Sequence, residues 1–190
     1  MPQKKLIFDK TQMDEAIDRI ADEIIAEFKV TSKNSNPIAL LGIQRQGVPF
    51  ARRLSAAITR KTSYQPLEGI LDISMYRDDY GLRKPLPVIH ETVIPFTVDD
   101  CDVIIADDVL ASGRTIRAAL DALTDYGRPR IIRLATLLDR GCNEYPIRAD
   151  YAGWLHKTAD NRKIIVEFEE CNGTDGVFEK PWDKGGDYKA

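Results

Sequence analysis

Val103–Leu120 reads VIIADDVLASGRTIRAAL. An apolar run leads into two adjacent carboxylates, Asp107 and Asp108, a short turn carries Ser112 and Gly113, and a helical pattern opens behind it, with Ile116, Ala119, Leu120 and Leu123 at three- and four-residue spacing before Gly127. Strand, glycine turn and helix make half of a βαβ unit. Ile131 to Leu138 supplies the next strand at the crossover length that a parallel pair needs. The expected class is therefore α/β, a Rossmann-like parallel sheet flanked by helices.

Working outward, Ile38–Ile43 is a continuous apolar run bounded by Pro37 and Gly42, the pattern of a short buried strand. Before it, Met13, Ile17, Ile20, Ile24 and Phe28 predict an amphipathic helix from Thr11 to Lys29, with Thr11 as its N-cap. The outer face of that helix carries Asp14, Glu15, Asp18, Asp22, Glu23 and Glu27 against only Arg19 and Lys29. After Ile43 a second helix is expected on the stripe Val48, Ala51, Leu54 and Ile58, in a segment holding Arg45, Arg52, Arg53, Arg60 and Lys61 and no acid. Gly69–Tyr76 alternates as a strand should, and YRDDYGLRKPLP reads as a charged loop. A later strand is expected at Ile164–Phe168, and residues 171–190 as a poorly ordered tail behind a domain spanning 1–170.

Composition narrows the function. The 190 residues allow one domain with appendages. A net charge of −3 leaves no global basic excess for a nucleic-acid coat. The absence of a long apolar stretch, and a start without a signal-like apolar core, point to a cytoplasmic protein with no membrane partner. Cys101, Cys142 and Cys171 are too scattered for a disulfide framework or a paired-ligand zinc site. His90 and His156 stand in no motif and are taken as surface or core residues.

The chemistry lies in the turn. N–H groups at the start of a helix lack intrahelical partners, so Ala111, Ser112, Gly113, Arg114 and Thr115 can wrap a phosphate. Asp107 and Asp108 would repel that phosphate, and suit a neighbouring polyol or a magnesium shell. A phosphate beside a sugar diol describes a ribose 5-phosphate. On spacing alone, an ordinary solvated strand end with Ser112 as a helix cap stands equally open.

The string DDVLASGRT, preceded by apolar residues, resembles the phosphoribosyl-pyrophosphate (PRPP) signature of the type I phosphoribosyltransferases. GIQRQG at 42–47 resembles the pyrophosphate loop of that family. LDISMYRDD at 71–79, with DRG and PIRADYAG between Asp139 and Gly153, resembles one subgroup, the bifunctional pyrimidine operon regulators with uracil phosphoribosyltransferase activity. The resemblance runs from about residue 4 to 170. It implies conversion of uracil and PRPP to uridine monophosphate (UMP) and pyrophosphate, with Mg2+ as cofactor reached through PRPP and through Asp107 and Asp108. The 5-phosphate then falls to Ala111, Ser112, Gly113, Arg114 and Thr115, the diol to Asp107 and Asp108, and the pyrophosphate to Gln44, Arg45, Gln46 and Gly47. Arg77, Arg83 and Lys84 fall in the family's hood loop; Arg140, Tyr151 and Ala152 fall to the base, with Trp154 a further aromatic that could cover it. A homo-oligomer, dimer or tetramer, is implied as well.

Two departures bear on regulation. The subgroup's turn commonly reads YTGRT where this chain has Ala111-Ser112-Gly113-Arg114-Thr115, and its messenger-RNA binders carry basic residues on the first helix and a His-Arg pair after DRG, where this chain has acids and Cys142-Asn143-Glu144. RNA is therefore not expected as a partner. The competing readings are a UMP-responsive RNA-binding attenuator of pyrimidine genes and a phosphoribosyltransferase for another base.

Overall fold

The computed structural model describes residues 4–31, 36–78, 90–159 and 161–181. At its centre is a parallel sheet in the order β3-β2-β4-β5-β6. These strands are β2 (Ile38–Ile43), β3 (Leu67–Leu71), β4 (Asp102–Leu110), β5 (Ile131–Asp139) and β6 (Tyr151–Leu155). Both faces are covered, which is why the strands are apolar throughout instead of alternating. Ile38, Leu40, Ile104 and Ala106 pack under α1 (Lys10–Phe28) and α2 (Gly47–Thr62), while Ala39, Leu41, Val103 and Ile105 pack under α3 (Arg114–Thr124).

A second, antiparallel sheet has the order β1-β8-β7, from β1 (Lys5–Phe8), β7 (Arg162–Glu167) and β8 (Gly176–Pro181), with the short helix α4 (Glu169–Asn172) between the last two. Phe8 at the end of β1 stacks on Trp154 of β6 at 3.9 Å and so ties this small sheet with α4, a hood distinct from the loop that carries Arg77, to the central sheet. Trp154 is thus occupied with packing.

Three expectations are corrected. The tail expected from residue 171 is corrected: α4 and β8 continue through Pro181, with Val177 fully buried opposite Val166, and of that stretch 182–190 lie outside the described residues. The first helix is capped by Asp9, not Thr11; Asp9 accepts the Gln12 N–H at 2.9 Å and the Gln12 side chain returns the bond, a reciprocal cap that fixes the helix start. The strand expected at Gly69–Tyr76 spans Leu67–Leu71 and gives way to a single 3-10 turn at Ser74–Tyr76, because Asp72 captures the Ser74 N–H. Among the described residues no helix is long and apolar enough to cross a membrane. Cys101 is buried, and Cys142 and Cys171 are exposed free thiols.

Candidate active site

β4 ends in the two carboxylates. Asp107 pairs in register with Thr136 of β5 and is 6% exposed; its Oδ1 accepts the Asp108 N–H at 3.0 Å. Burial pushes the Asp107 carboxyl well above the usual carboxylate range, and the charge of Asp108 pushes it further, against a smaller downward pull from Arg77. Burial raises Asp108 too. Two desolvated carboxylates side by side form a site that favours a cation or hydroxyl donors.

Beyond Leu110 the turn passes through Ala111 and Ser112 to Gly113, which takes φ 90° at the N-cap of α3, where a side chain would be strained. Gly113 offers no side-chain cap, and the Ser112 hydroxyl lies 3.4 Å from the Arg114 N–H. This helix start meets the physical requirement for an anion cradle. The turn is braced from behind: the Ser112 carbonyl accepts the N–H groups of Glu144 and Tyr145. The Arg114 guanidinium points outward, to Glu144 and Asp78, each at 2.8 Å.

The second turn, Gln44–Gln46, joins β2 to α2 and contains a cis peptide bond between Gln44 and Arg45. Gly47 seats it against β4, since a Cβ there would lie 2.3 Å from the Ala106 carbonyl oxygen. Arg45 is exposed; Gln46 turns its amide to Asn172 of α4, with Nε2 donating to Oδ1 at 2.8 Å.

The two turns face each other across a cleft of about 440 Å³, lined by Gln44 and Arg45 on one side and by Asp107, Asp108, Val109 and Thr115 on the other. Arg77 spans it, donating to the Thr115 hydroxyl at 2.9 Å. Six residues singled out from the sequence thus meet here: Gln44, Arg45, Arg77, Asp107, Asp108 and Thr115. Ala111 to Arg114 form the turn into Thr115, and neither they nor Gln46 and Gly47 are among the residues lining the cleft. Arg83 and Lys84 lie outside the described residues.

The base side is only partly as expected. Arg140 follows β5, half-buried; its Nη2 reaches the Arg162 carbonyl of the hood at 3.4 Å, and its Nε is buried without a hydrogen-bond partner among the described residues. Arg140 is not among the residues that line the cleft. Ala152 sits in β6 opposite Thr136. Tyr151 is corrected: it is 4% exposed in the core beneath α1, and its hydroxyl donates to Glu27, so its ring fills space and faces no ligand. Burial, followed by the Glu27 carboxylate, pushes the phenol pKa upward.

Asp72, Ser74 and His90 also line the cleft and were not singled out from the sequence. His90, taken there for a surface or core residue, reaches the cleft because its backbone N–H donates to the Asp72 carboxylate. The only sequence signal was the position of Asp72 at a strand end, inside a segment already read as strand.

The chain matches the phosphoribosyl transferase domain over residues 5–170. It is 47% identical over 176 residues to the Bifunctional protein PyrR of Roseiflexus sp. (strain RS-1), covering 92% of this chain and 94% of that one. It is 43% identical over 174 residues to the Bifunctional protein PyrR of Deinococcus radiodurans, covering 92% and 93%. Among solved structures, the hypoxanthine phosphoribosyltransferase of Trypanosoma cruzi in complex with the product IMP superposes with a TM-score of 0.71 at 16% identity, covering 95% of this chain and 94% of that one; the likeness is one of fold.

Proposed function

Because the chain belongs to the phosphoribosyl transferase family and, within it, to the proteins named Bifunctional protein PyrR, we propose that its cleft joins uracil to PRPP, releasing UMP and pyrophosphate. The observation that carries this reading is the opposition of two turns across one cleft, Asp107–Thr115 on one wall and Gln44–Arg45 on the other, with Arg77 between them. A phosphorylated ribose fits the first wall and a pyrophosphate the second.

In this reading the 5-phosphate lies on the N–H groups of Ala111–Thr115, with the Ser112 and Thr115 hydroxyls beside it, and displaces the Arg77 bond to Thr115. The ribose hydroxyls donate to Asp107 and Asp108, which accept bonds readily because they are desolvated together. Uracil N1 bonds to C1′ of the ribose and gives up its proton, which the departing pyrophosphate carries off, as the bond from C1′ to the pyrophosphate oxygen breaks and its electron pair leaves on pyrophosphate. Arg45 and Arg77 face that departing charge. Arg140 holds the base against the hood, with the backbone of Ala152 nearby. The desolvated pair Asp107–Asp108 also fits a magnesium ion, which would neutralise part of the pyrophosphate charge when bound with PRPP.

Pyrophosphate release from PRPP and Mg2+, with uracil, orotate, hypoxanthine and guanine offered separately, tests the reading. Turnover with uracil above the other three supports it; turnover with a different base transfers the same site to that substrate. The relatives' name makes a second activity a live reading, and the resemblance gives it as UMP-responsive binding of messenger RNA. The resemblance also implies a dimer or tetramer, which sedimentation resolves.

A further inference from the structure

Asp72 lies in the cleft wall just after β3, 8% exposed, and accepts backbone and side-chain donors from the stretch that carries Arg77 and a backbone donor from His90. Its Oδ1 accepts the Ser74 N–H at 2.8 Å and the Ser74 hydroxyl at 2.6 Å, and its Oδ2 accepts the His90 N–H. Its own N–H donates to the Thr92 hydroxyl at 3.0 Å, two residues beyond His90. The outgoing stretch Ser74–Asp78 and the returning stretch His90–Val93 are thus joined through one side chain. Further back, Ile70 and Val93 exchange backbone hydrogen bonds of 2.8 and 2.9 Å.

The outgoing stretch is also held by α3. Arg117 donates to the Tyr76 carbonyl at 3.0 Å, and the Tyr76 hydroxyl donates to Asp125. Arg77 follows at once and reaches Thr115 at 2.9 Å. The 3-10 turn therefore has two anchors, Asp72 on one side and α3 on the other, and Arg77 is aimed from between them.

We propose that Asp72 is a positioning residue for the transfer reaction: its carboxylate clips Ser74 to His90 and thereby fixes the direction of Arg77 across the PRPP cleft. The inference rests on the transferase reading given above. A carboxylate is required because every partner is a donor. An amide of the same shape would turn an NH2 group toward Ser74 or His90, removing a bond and leaving donor against donor in a buried place. With three donors from the flanking chain on its carboxylate, Asp72 is assigned to act through Arg77.

The test combines Asp72→Asn with Arg77→Ala in a double-mutant cycle, reading pyrophosphate release, PRPP affinity by calorimetry, and melting temperature. Asp72→Asn is expected to fold, to lower kcat/KM for PRPP by about ten- to a hundredfold, and to leave KM for the base within about twofold. In the Arg77→Ala background the same substitution is expected to have no further effect, because the residue it positions is gone. A merely structural role would make the two losses multiply, and that result overturns the proposal, as does an Asp72→Asn protein indistinguishable from wild type. Should Asp72→Asn not fold, Ser74→Ala removes one donor to the clip while sparing the carboxylate. Its loss is expected to be smaller and again to vanish without Arg77; an unchanged or multiplying Ser74→Ala overturns the proposal. If wild type releases no pyrophosphate with any of the four bases, the transferase reading fails by itself. PRPP affinity then decides Asp72: weaker binding in Asp72→Asn upholds the clip, and equal binding, or none by wild type, overturns it.

Discussion

Asp107 and Asp108 are neighbours in sequence, desolvated together at the end of β4, and each is raised in pKa by burial, Asp107 also by Asp108. For stability the sign follows from proton counting. Between the ordinary value of 3.8 and the raised one, the folded protein binds more protons than the unfolded chain, so stability falls as pH climbs through that interval. Asp107→Asn removes the like charge while keeping the shape. The ligand-free variant is therefore expected to melt above wild type near neutral pH, with the gap closing toward about pH 4; a melting curve at each pH checks it, and a lower melting point at neutral pH contradicts it. Function moves the other way. Replacing both residues by Ala is expected to lower turnover at least about a hundredfold in a folded protein, measured as pyrophosphate release. Excess chelator is expected to abolish turnover in wild type, since Arg45 and Arg77 face a highly anionic substrate beside two carboxylates; full activity in chelator would remove the metal from the mechanism.

Beside their apolar cores the elements are joined by charged contacts, one of them between α2 and the hood. Arg53 of α2 donates to both oxygens of Glu170, at 2.9 and 2.7 Å, and to Asp175 at 2.7 Å, and its guanidinium lies 5.0 Å from the centre of the Phe168 ring. The Asp175 side chain is 1% exposed; burial pushes its carboxyl up, but the bonds from Arg53, the Glu169 N–H and Lys10 together hold it below the usual value. Arg53→Ala leaves that carboxylate buried with Lys10 and the Glu169 N–H as its partners, a loss of about 3 kcal/mol by the usual cost of breaking a buried pair. Urea denaturation of the folded variant measures it, and a change below about 1 kcal/mol would show that the hood docks by packing alone. How these elements were or were not legible follows from range. β2, β4 and β5 and the start of α3 were plain from the sequence because both faces of the central sheet are covered, giving unbroken apolar runs, and because Gly113 marks the turn. β1 and β8 were not. They pair across most of the chain, with Leu6 opposite Phe178, and their few apolar residues show no period over so short a span. The same distance hid the link from Gln46 to Asn172, and a strand-like alternation hid Asp72. Tyr151 was misplaced because an aromatic at a strand end carries no mark of the face it will bury.

On the scale of the whole molecule, acids cover three of the cations on the α1–α2 face. The basic segment 42–63 is the place where a phosphate backbone would first be sought, yet three of its five cations face α1: Arg60 pairs with Asp18, Lys61 lies 2.7 Å from Asp22, and Arg53 lies 3.8 Å from Asp14. Arg45 belongs to the cleft. After Gly141, where the resemblance implies a His-Arg pair in RNA-binding members, Glu144 closes on the Arg114 guanidinium at 2.8 Å. A duplex or hairpin approaching this surface meets Arg52 exposed but Arg53, Arg60 and Lys61 already paired with acids, within a chain of net charge −3, and the counterion release that drives RNA association is correspondingly small. The expected outcome is that the protein does not bind a pyrimidine-operon leader hairpin with sub-micromolar affinity, with UMP present or absent. A filter or gel-shift assay at about 0.15 M salt measures this, with a scrambled hairpin as control. Two charge variants sharpen it: Asp18→Asn and Asp22→Asn free Arg60 and Lys61, and should raise non-specific binding to both hairpins equally, with a steeper salt dependence. Tight, UMP-dependent binding of wild type to the leader alone would instead place the second function on a surface outside the α1–α2 face, and would assign this chain both activities of the proteins it resembles.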